Sequence, residues 1–472
     1  MAPTSVNERP DAAAPVVVVG LGVMGRAVVT ALRRRGIAVR AADDHPTEEQ
    51  RALARELGVP FAGAPDATAL RELLAGAAEV VPTPGLPEDH PAFAVAAELG
   101  VPVVSELDLA GRWDDRPLVA ITGTNGKTTV TMMVTAMLEA SGHPAVAAGN
   151  TEVPLVAALD DRRAELFVVE ASSFRLAATR RFTPVVATWL NFAPDHLDVH
   201  RSLAAYESAK ARIWSQQAPD AVAVANLDDP VVASHAAGVP AQLATYALNR
   251  PDADWHVADG RLVGPGGLDL LGVEELPRRF DHDLSNALAA AATAHPAGAT
   301  ADAMAATLRT WHHLPHRVQL VGRRADGVEF YDDSKATTPH AVLAALGGFP
   351  STVLVAGGQN KGLDLSPLAS GVDHIRAVVA IGVAADEVAA VFGDLRPVVV
   401  AGSMDEAVAV ADDLARPGDV VLLSPGAASF DWYRSYGERG DDFARAVEAR
   451  LGVRPRGRSR GRRRARPRGS NP

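Results

Sequence analysis

Cysteine is absent from the 472-residue sequence, which excludes disulfides, thiolate metal sites and a cysteine nucleophile. No apolar run reaches the length of a membrane span. The first residues, MAPTSVNERPDAAAP, lack the basic start and apolar stretch of a secretory signal. Hydrophobic residues make up 47% and charged residues 22% of the chain, as in ordinary globular proteins. We therefore expect a cytoplasmic enzyme of several domains, without membrane insertion.

Lysine is the other scarce residue type. The 46 basic residues include only four lysines, which are Lys127, Lys210, Lys335 and Lys361. A lysine amine is compact and can be deprotonated, whereas an arginine guanidinium is broad and permanently charged. The four lysines are therefore candidates for positions that require an amine. Their survival by chance is the alternative.

The net charge of −11 is unevenly distributed along the chain. The C-terminal end carries nine arginines between Arg454 and Arg468 and no acidic residue. Such a segment cannot bury a core, so we predict a disordered tail over residues 453–472 with no catalytic role. Contact with nucleic acid or anionic lipid is an alternative, but the predicted activity needs no nucleic acid.

Strand-like and helix-like segments alternate along most of the sequence. This alternation predicts an α/β protein with parallel sheets covered by helices on both faces. We expect three domains: a Rossmann-like N-terminal domain over 1–106, a central P-loop-type domain with a mostly parallel sheet over 107–315, and a Rossmann-like C-terminal domain over 316–452. Nothing in the sequence indicates an obligate assembly, so a monomer is expected.

The N-terminal domain opens with a strand-like run followed by GLGVMG. Gly20, Gly22 and Gly25 have the spacing of a dinucleotide loop, and Asp43 follows the next strand. This pattern favours a nucleotide-like ligand at a helix N-terminus. Glycines that serve only the tight turn are the alternative, and a nicotinamide-dependent oxidoreductase is the competing function.

A second Gly-rich loop, GTNGKT, lies between an apolar strand and a helix in the central domain. Backbone N–H groups there would hold phosphate oxygens, Lys127 would neutralise them, and the Thr128 hydroxyl would bind Mg²⁺. The loop is two residues shorter between its glycines than the standard P-loop, which argues against a generic GTPase or kinase.

Acidic and histidine residues follow this loop. Glu170 ends the next strand-like run, where a carboxylate would bind Mg²⁺ bridging the nucleotide phosphates. A surface or capping acid is the alternative. His196 stands between Asp195 and Asp198, which favours a metal role over a purely structural one in this setting.

Eight further motifs make the sequence similar to the Mur ligases, which build the peptidoglycan stem peptide, and to the related folylpolyglutamate synthases. The resemblance begins with ITGTNGKTT and continues in family order through GNTEVPL, VVEASSFRL, NFAPDHLDVH, YESAKARIW, LPHR, YDDSKATT, GGQNKG and SPGAASFD. The DSKAT segment and the SPGAASFD…ERG ending resemble the branch that adds D-glutamate. Other branches would be expected to carry aromatic or histidine residues at Ser334 and Lys335.

The resemblance implies a reaction and its participants. The substrates would be UDP-N-acetylmuramoyl-L-alanine and D-glutamate, joined through an acyl phosphate at the expense of ATP. The cofactors would be ATP and two Mg²⁺ ions, the second held by His196 and by a CO₂-derived carbamate on Lys210. The alternative for Lys210 is an ordinary cation on the helix surface. The sequence does not show whether the incoming glutamate is the D or the L form.

The resemblance also implies the residues of each subsite. Lys127, His196 and Lys210 would be catalytic, and the metal ligands would be Thr128, Glu170, His196 and Lys210. ATP would bind Gly123, Thr124, Asn125, Gly126, Lys127, Thr128, Thr129, Asn150, Asn286, Arg317, Asp333 and Lys335. The UDP substrate would bind Gly22, Val23, Asp43, Thr83, Gly85, Asn150, Ser172 and His196. Glutamate would bind Lys335, Thr337, Lys361, Ser429 and Phe430.

Two departures from the family pattern and three competing functions remain. Met24 replaces a hydroxyl residue, and Arg175 replaces a glutamine. The alternatives are another ligase of the superfamily, such as a folylpolyglutamate synthase, an oxidoreductase, and a catalytically silent nucleotide-binding regulator. The set of Lys127, Glu170, His196 and Lys210 argues against the silent regulator.

Overall fold

The computed structural model describes residues 14–452. Within this range helices alternate with mostly parallel strands, so the predicted α/β fold class is confirmed. The chain forms two compact units, one running to Leu314 and including Lys361–Asp364, the other comprising the rest from Pro315 onward. The division into three domains near residues 106 and 315 stays a prediction. The predicted disordered tail, 453–472, lies outside the described residues.

The first sheet is four-stranded and parallel, in the order β3-β2-β1-β4. Its central strand is a run of four buried valines, as expected where helices cover both faces of a sheet. The strands are β1 Val16–Val19, β2 Val39–Asp43, β3 Phe61–Gly63 and β4 Glu79–Pro82. The helices are α1 Val23–Arg34, α2 Glu48–Glu56, α3 Ala67–Leu74, α4 Pro91–Leu99 and α5 Glu106–Trp113.

The second sheet is six-stranded and parallel, in the order β10-β9-β8-β5-β7-β6. Its strands are β5 Leu118–Thr122, β6 Ala145–Gly149, β7 Leu166–Glu170, β8 Val186–Trp189, β9 Val222–Asn226 and β10 Gln242–Tyr246. Its helices are α6 Lys127–Ala140, α7 Leu155–Ala158, α8 Ser173–Ala177, α9 Leu203–Ser215, α10 Pro230–Ala236, α11 Asp281–Ala294 and α12 Ala301–Arg309. Alanines line the buried face of α11, and their small size suits close packing against α6.

A small antiparallel sheet follows β10, and the sequence analysis did not predict it. It consists of β11 His256–Ala258, β12 Arg261–Gly264 and β13 Leu268–Gly272. Trp255, just before β11, is buried, and a Cβ at Gly264 would lie 2.7 Å from its ring. The glycine therefore admits the indole beneath this sheet.

The second unit contains a six-stranded sheet in the order β14-β15-β19-β16-β17-β18. Only β14 runs antiparallel to its neighbour among these strands. The strands are β14 Gln319–Arg323, β15 Glu329–Asp332, β16 Thr352–Gly357, β17 Ile375–Ile381, β18 Val398–Ala401 and β19 Val420–Leu423. The helices are α13 Pro339–Leu346, α14 Ala385–Phe392, α15 Met404–Leu414 and α16 Tyr436–Leu451, with a 3-10 stretch at Ser366–His374. Across residues 14–452, no helix is both long and apolar enough to cross a membrane.

Candidate functional site

The GTNGKT loop joins the end of β5 to the start of α6. Gly123 and Gly126 have φ angles of +156° and +84°, which favour glycine. A Cβ would lie 2.9 Å from Leu190 at the first position and 2.6 Å from Asn286 Oδ1 at the second. Gly126 is the N-cap of α6, where no described side chain caps the helix. The N–H groups of the first turn are thus arranged to accept an anion.

Asn191, which the sequence analysis did not single out, fixes the shape of this loop. Its Oδ1 accepts hydrogen bonds from the backbone N–H groups of Thr124 and Asn125, at 3.0 and 2.9 Å. Its Nδ2 donates to the Asn125 carbonyl at 3.2 Å. The motif NFAPDHLDVH contains this asparagine, but only the tertiary structure shows what it binds.

Two of the scarce lysines meet at one carbonyl of the loop. Lys127 Nζ donates to the Gly123 carbonyl at 2.9 Å and to that of Thr124 at 2.8 Å. Lys210 Nζ, on α9, donates to the same Gly123 oxygen at 2.6 Å. The structure therefore brings these predicted residues together.

Lys210 is not on the helix surface, because its side chain is only 1% exposed. Its Nζ lies 4.5 Å from the ring centroid of Tyr206. Burial, and then the neighbouring Lys127 charge, hold the pKa of Lys210 well below its usual range, against the opposing effect of Asp195. This environment favours a neutral, nucleophilic amine.

The end of β7 places an acid beside the loop after β6. Glu170 is buried, and its Oε1 accepts a hydrogen bond from Asn150 Nδ2 at 3.0 Å. Neither Glu170 Oε2 nor the buried Ser172 Oγ has a hydrogen-bond partner in the described part of the chain. A buried carboxylate oxygen without a donor suits a divalent cation, since Mg²⁺ prefers oxygen ligands.

His196 lies in the loop after β8 with a φ angle of +56°, which is uncommon for a residue other than glycine. Its ring meets Phe174 edge-on at a centroid distance of 4.7 Å. Burial, and then the charge of Lys127, lowers the pKa of His196 to about 3. The imidazole is therefore neutral at physiological pH, the form that binds metals.

No cluster of three or more His, Asp or Glu side chains within residues 14–452 forms a metal site complete in itself. A cation at Glu170 would therefore need further oxygen ligands from hydroxyl groups, phosphates or water.

The loops after β1 and β4 lie side by side because these strands are neighbours. A Cβ at Gly20 would lie 2.0 Å from Thr83 Oγ1, and one at Gly25 would lie 2.0 Å from the Gly20 carbonyl. These two glycines are therefore required for packing. A Cβ at Gly22 or at Gly85 would meet no atom within 4 Å, and Val23 is largely exposed.

Asp43 and Met24 stabilise this region internally. Asp43 Oδ2 accepts hydrogen bonds from the Leu21 N–H at 2.7 Å and from Gln50 Nε2 at 3.2 Å. Met24, which replaces the family's hydroxyl residue, is buried in the hydrophobic core. Met24 therefore contributes to packing.

Arg175, the other departure from the family pattern, also has a structural partner. Its guanidinium forms an ion pair with Glu106, and both side chains are buried. The second Glu106 oxygen accepts a hydrogen bond from the Val156 N–H at 3.0 Å. This pairing explains why a charged residue is tolerated in the interior.

The predicted glutamate-binding residues follow three neighbouring parallel strands along the chain, β15, β16 and β19. Lys335 and Thr337 come after β15, Ser429 and Phe430 after β19, and Lys361 after β16. The carboxyl ends of these adjacent strands lie at one edge of the sheet, where ligands bind in open α/β folds.

Asp333 and Lys335 lie in the turn after β15. Asp333 is buried and accepts hydrogen bonds from Ser424 Oγ at 2.8 Å and from the Val318 N–H at 3.2 Å. Burial raises the pKa of Asp333 to about 7. Lys335 Nζ lies 4.0 Å from the ring centroid of Tyr436.

Arg317 is held between two residues with positive φ, His316 at 60° and Val318 at 49°. His316 Nδ1 lies 2.6 Å from Asp332 Oδ2, and the His316 carbonyl accepts a hydrogen bond from the Lys335 N–H. The structure therefore brings Arg317, Asp333 and Lys335 into one neighbourhood, and their binding of the nucleotide stays a prediction.

Comparisons with known proteins agree with this arrangement. Three family models match the chain: the Mur ligase MurD-like N-terminal domain at residues 14–105, the Mur ligase middle domain at 121–294, and the Mur ligase glutamate ligase domain at 316–426. The crystal structure of MurF from Acinetobacter baumannii shares the fold, with a TM-score of 0.60 and 16% identity over 93% of this chain and 92% of that one.

Two relatives named UDP-N-acetylmuramoylalanine–D-glutamate ligase are much closer in sequence. The protein from Frankia casuarinae is 43% identical over 93% of this chain and 94% of its own length. The protein from Desulfosudis oleivorans is 39% identical over 92% and 96%. With identity of this level over nearly the whole length of both chains, the protein belongs to the Mur ligase family.

Proposed function

We propose that this protein adds D-glutamate to UDP-N-acetylmuramoyl-L-alanine in peptidoglycan precursor synthesis. It is an ATP-dependent, ADP-forming ligase, in keeping with its family and with relatives named for that reaction. The structural observation that carries the proposal is the meeting of Lys127 and Lys210 at the Gly123 carbonyl, on the sheet edge where Glu170 also lies. Other ligases of the superfamily remain the second candidate.

ATP is proposed to bind at the N-terminus of α6, with Lys127 neutralising its outer phosphates. Asn286 lies beside Gly126 and would support the nucleotide from α11. Arg317, Asp333 and Lys335 belong to the same proposed set, as the resemblance implies, and the Arg317 guanidinium offers two parallel donors to phosphate oxygens. The complete proposed set comprises Gly123, Thr124, Asn125, Gly126, Lys127, Thr128, Thr129, Asn150, Asn286, Arg317, Asp333 and Lys335.

Magnesium use fits the residues present. Glu170, with its buried oxygen lacking a partner, Thr128 in the first turn of α6 and the neutral His196 would hold Mg²⁺. Bound magnesium would offset the repulsion between a substrate carboxylate and the phosphates of ATP. Two ions are proposed, as the resemblance implies.

Lys210 is proposed to carry a carbamate. Its neutral amine would attack CO₂, forming an N–C bond and releasing one proton, and the product presents oxygen atoms in place of a cation. The hydrogen bond to Gly123 holds the amine beside the phosphate-binding loop. An arginine at this position cannot undergo the same reaction.

The reaction would proceed in two steps. The alanine carboxylate attacks the γ-phosphorus, the bond to the β-phosphate oxygen breaks, and ADP leaves. The glutamate amine then attacks the acyl phosphate carbonyl, loses a proton, and phosphate leaves. Such chemistry depends mainly on positioning and charge neutralisation, which Lys127 and the N-terminus of α6 would supply.

The remaining subsites follow from the sequence comparison and from loop positions. Glutamate would meet Lys361 through its side-chain carboxylate, with Lys335, Thr337, Ser429 and Phe430 around it. The UDP substrate would contact Gly22, Val23, Asp43, Thr83, Gly85, Asn150, Ser172 and His196. A monomer located in the cytoplasm is part of the same proposal.

Phosphate release from ATP tests the function directly. We expect release only when UDP-N-acetylmuramoyl-L-alanine and D-glutamate are both present, with each omitted in turn as a control. L-Glutamate, lysine and diaminopimelate serve as competing amino acids, and a folate substrate as the competing acceptor. Robust turnover with lysine, diaminopimelate or folate would overturn the assignment.

A further inference from the structure

The ERG segment near the C-terminus contains a buried arginine that none of the proposed subsites includes. Arg439 lies in the first turns of α16, and its side chain is 1% exposed. No carboxylate among residues 14–452 lies within ion-pair distance of it. Burying a cation without an ion pair costs free energy, so the hydrogen bonds of the guanidinium must offset that cost.

Those hydrogen bonds all go to two loops. Arg439 Nε donates to Ser334 Oγ and Nη2 to the Ser334 carbonyl, both at 2.9 Å. Nη1 donates to the carbonyls of Ala427 and Ala428, each at 3.1 Å, and Nη2 also reaches the Ala427 carbonyl at 3.1 Å. The planar guanidinium thus joins the loop after β15 to the loop after β19.

Each of these loops carries a proposed glutamate-binding residue. Ser334 directly precedes Lys335, and Ala428 directly precedes Ser429. The Ala428 backbone also exchanges two hydrogen bonds with Gln359, at 2.8 and 3.0 Å, which extends the connection to the loop after β16. The Arg439 side chain and the Gln359–Ala428 backbone pair together connect three loops at the edge of the sheet.

The surroundings leave little room for Arg439 to move. A Cβ at Gly358 would lie 2.9 Å from Arg439 Nη1 and 2.3 Å from the Ala428 carbonyl. Gly440 directly follows Arg439 in the sequence, and a Cβ there would lie 2.2 Å from His316 Nδ1. Burial lowers the pKa of Arg439 to about 10, so the guanidinium stays charged near neutrality.

We propose that Arg439 is a positioning residue that sets the spacing of the loops carrying Lys335 and Ser429, and thereby the affinity for the incoming amino acid. This inference rests on the proposed function and goes beyond it by assigning a role to a side chain outside all the proposed subsites. Lysine cannot replace it, because one ammonium cannot reach the same carbonyls in a plane.

Steady-state kinetics of Arg439→Lys test the proposal. We expect the KM for D-glutamate to rise by about 10-fold or more and kcat to fall, as for lost charge-assisted hydrogen bonds, while the KM for the UDP substrate stays within about twofold. Arg445→Ala is the matched control, because Arg445 lies on the same helix, half-exposed, bonded to Asp405 and Asp442. It should leave all three constants unchanged.

Chemical rescue separates positioning from simple destabilisation. Low-millimolar guanidinium should restore part of the activity of Arg439→Ala and none of that of a Lys210→Ala variant. A wild-type KM for D-glutamate in Arg439→Lys would overturn the proposal, as would an equal rise in the KM for both substrates. Wild-type turnover with D-glutamate is measured in parallel, so failure of the proposed function is recognised independently.

Discussion

A buried amine and an exposed amine differ in chemistry, and Lys210 and Lys361 represent the two cases in this chain. Lys210 is enclosed by α9, Tyr206 and the Gly123 carbonyl, whereas the Lys361 side chain is about half-exposed. Retaining a positive charge at position 210 therefore does not retain its chemistry. The amine can lose its proton and react, and a guanidinium cannot.

Lys210→Arg is expected to fold and to lose turnover by about 1,000-fold or more, on the scale of a lost metal contribution. The fixed charge would stand beside the proposed metal site, and no carbamate would form. Turnover and melting temperature are measured together. Arg212→Lys, an exposed change on the same helix, is the control. Near-normal turnover in a folded Lys210→Arg would remove the carbamate from the mechanism.

The buried carboxyl of Asp333 should make the stability of the fold depend on pH. Its pKa is about 7 in the folded protein and near 4 when unfolded, so the unfolded chain releases this proton first as pH rises. Its contribution to stability is fully present below about pH 4 and is lost as pH rises to about 7, up to about 4 kcal/mol. Asp333→Asn cannot ionise and keeps hydrogen-bonding atoms at the same place.

The difference in the free energy of unfolding, wild type minus Asp333→Asn, should therefore decrease as the pH is raised from 5 to 8. Urea denaturation at four pH values measures this difference. A difference that is constant with pH would mean that Asp333 is already ionised in the fold.

At the scale of elements, the Glu106–Arg175 pair joins α5 to α8. Arg175→Gln restores the family residue but leaves the buried Glu106 charge with a neutral partner. We expect destabilisation by about 3 kcal/mol, as for removal of one member of a buried pair. In Glu106→Gln/Arg175→Gln, which buries no charge, a large part of this loss should return. A double-mutant cycle from denaturant unfolding gives the coupling, and additive effects would contradict the pairing.

Elements with a strong local pattern could be predicted from the sequence. The buried valines of β1, the apolar run of β5 and the glycines between β5 and α6 each identify their structure locally. The antiparallel strands β11 to β13 and β14 were missed because they are short and carry polar residues. Trp255 beneath Gly264 shows that tertiary packing specifies the small sheet.

The residues of the candidate site likewise include some that the sequence identifies and others that only the structure identifies. Lys127, Glu170 and Lys335 belong to motifs that carry their own chemical meaning. Asn191 and Arg439 act through backbone atoms distant in sequence, so no local pattern distinguishes them from ordinary polar residues. The partners of Arg175 and Asp43 were likewise invisible before the fold placed them.

At the scale of the whole molecule, Glu88 connects the loop after β4 with the loop after β8. Its Oε1 lies 2.7 Å from His200 Nδ1, and His200 Nε2 lies 2.9 Å from Ser173 Oγ. The Glu88 N–H also donates to the Val199 carbonyl at 3.0 Å. The proposed UDP-substrate loop at Thr83 is thus fastened to the segment that carries His196.

Glu88→Ala should raise the KM for the UDP substrate by about 10-fold, because the two loops lose a fixed spacing, and leave the KM for D-glutamate nearly unchanged. Asp89→Asn, at the exposed neighbouring position, is the control. An equal change in both constants would show that Glu88 acts through general stability.

The burial of Lys210 has a practical consequence for chemical labelling. An amine-reactive reagent finds only four lysines and the chain N-terminus in this protein, and the closed surroundings of Lys210 shield one of them. The other three belong to the proposed nucleotide and glutamate subsites. Because arginine occupies the remaining basic positions, a reagent that modifies surface lysines indiscriminately in most proteins would act here almost as an active-site probe, with ATP and glutamate as natural protectants.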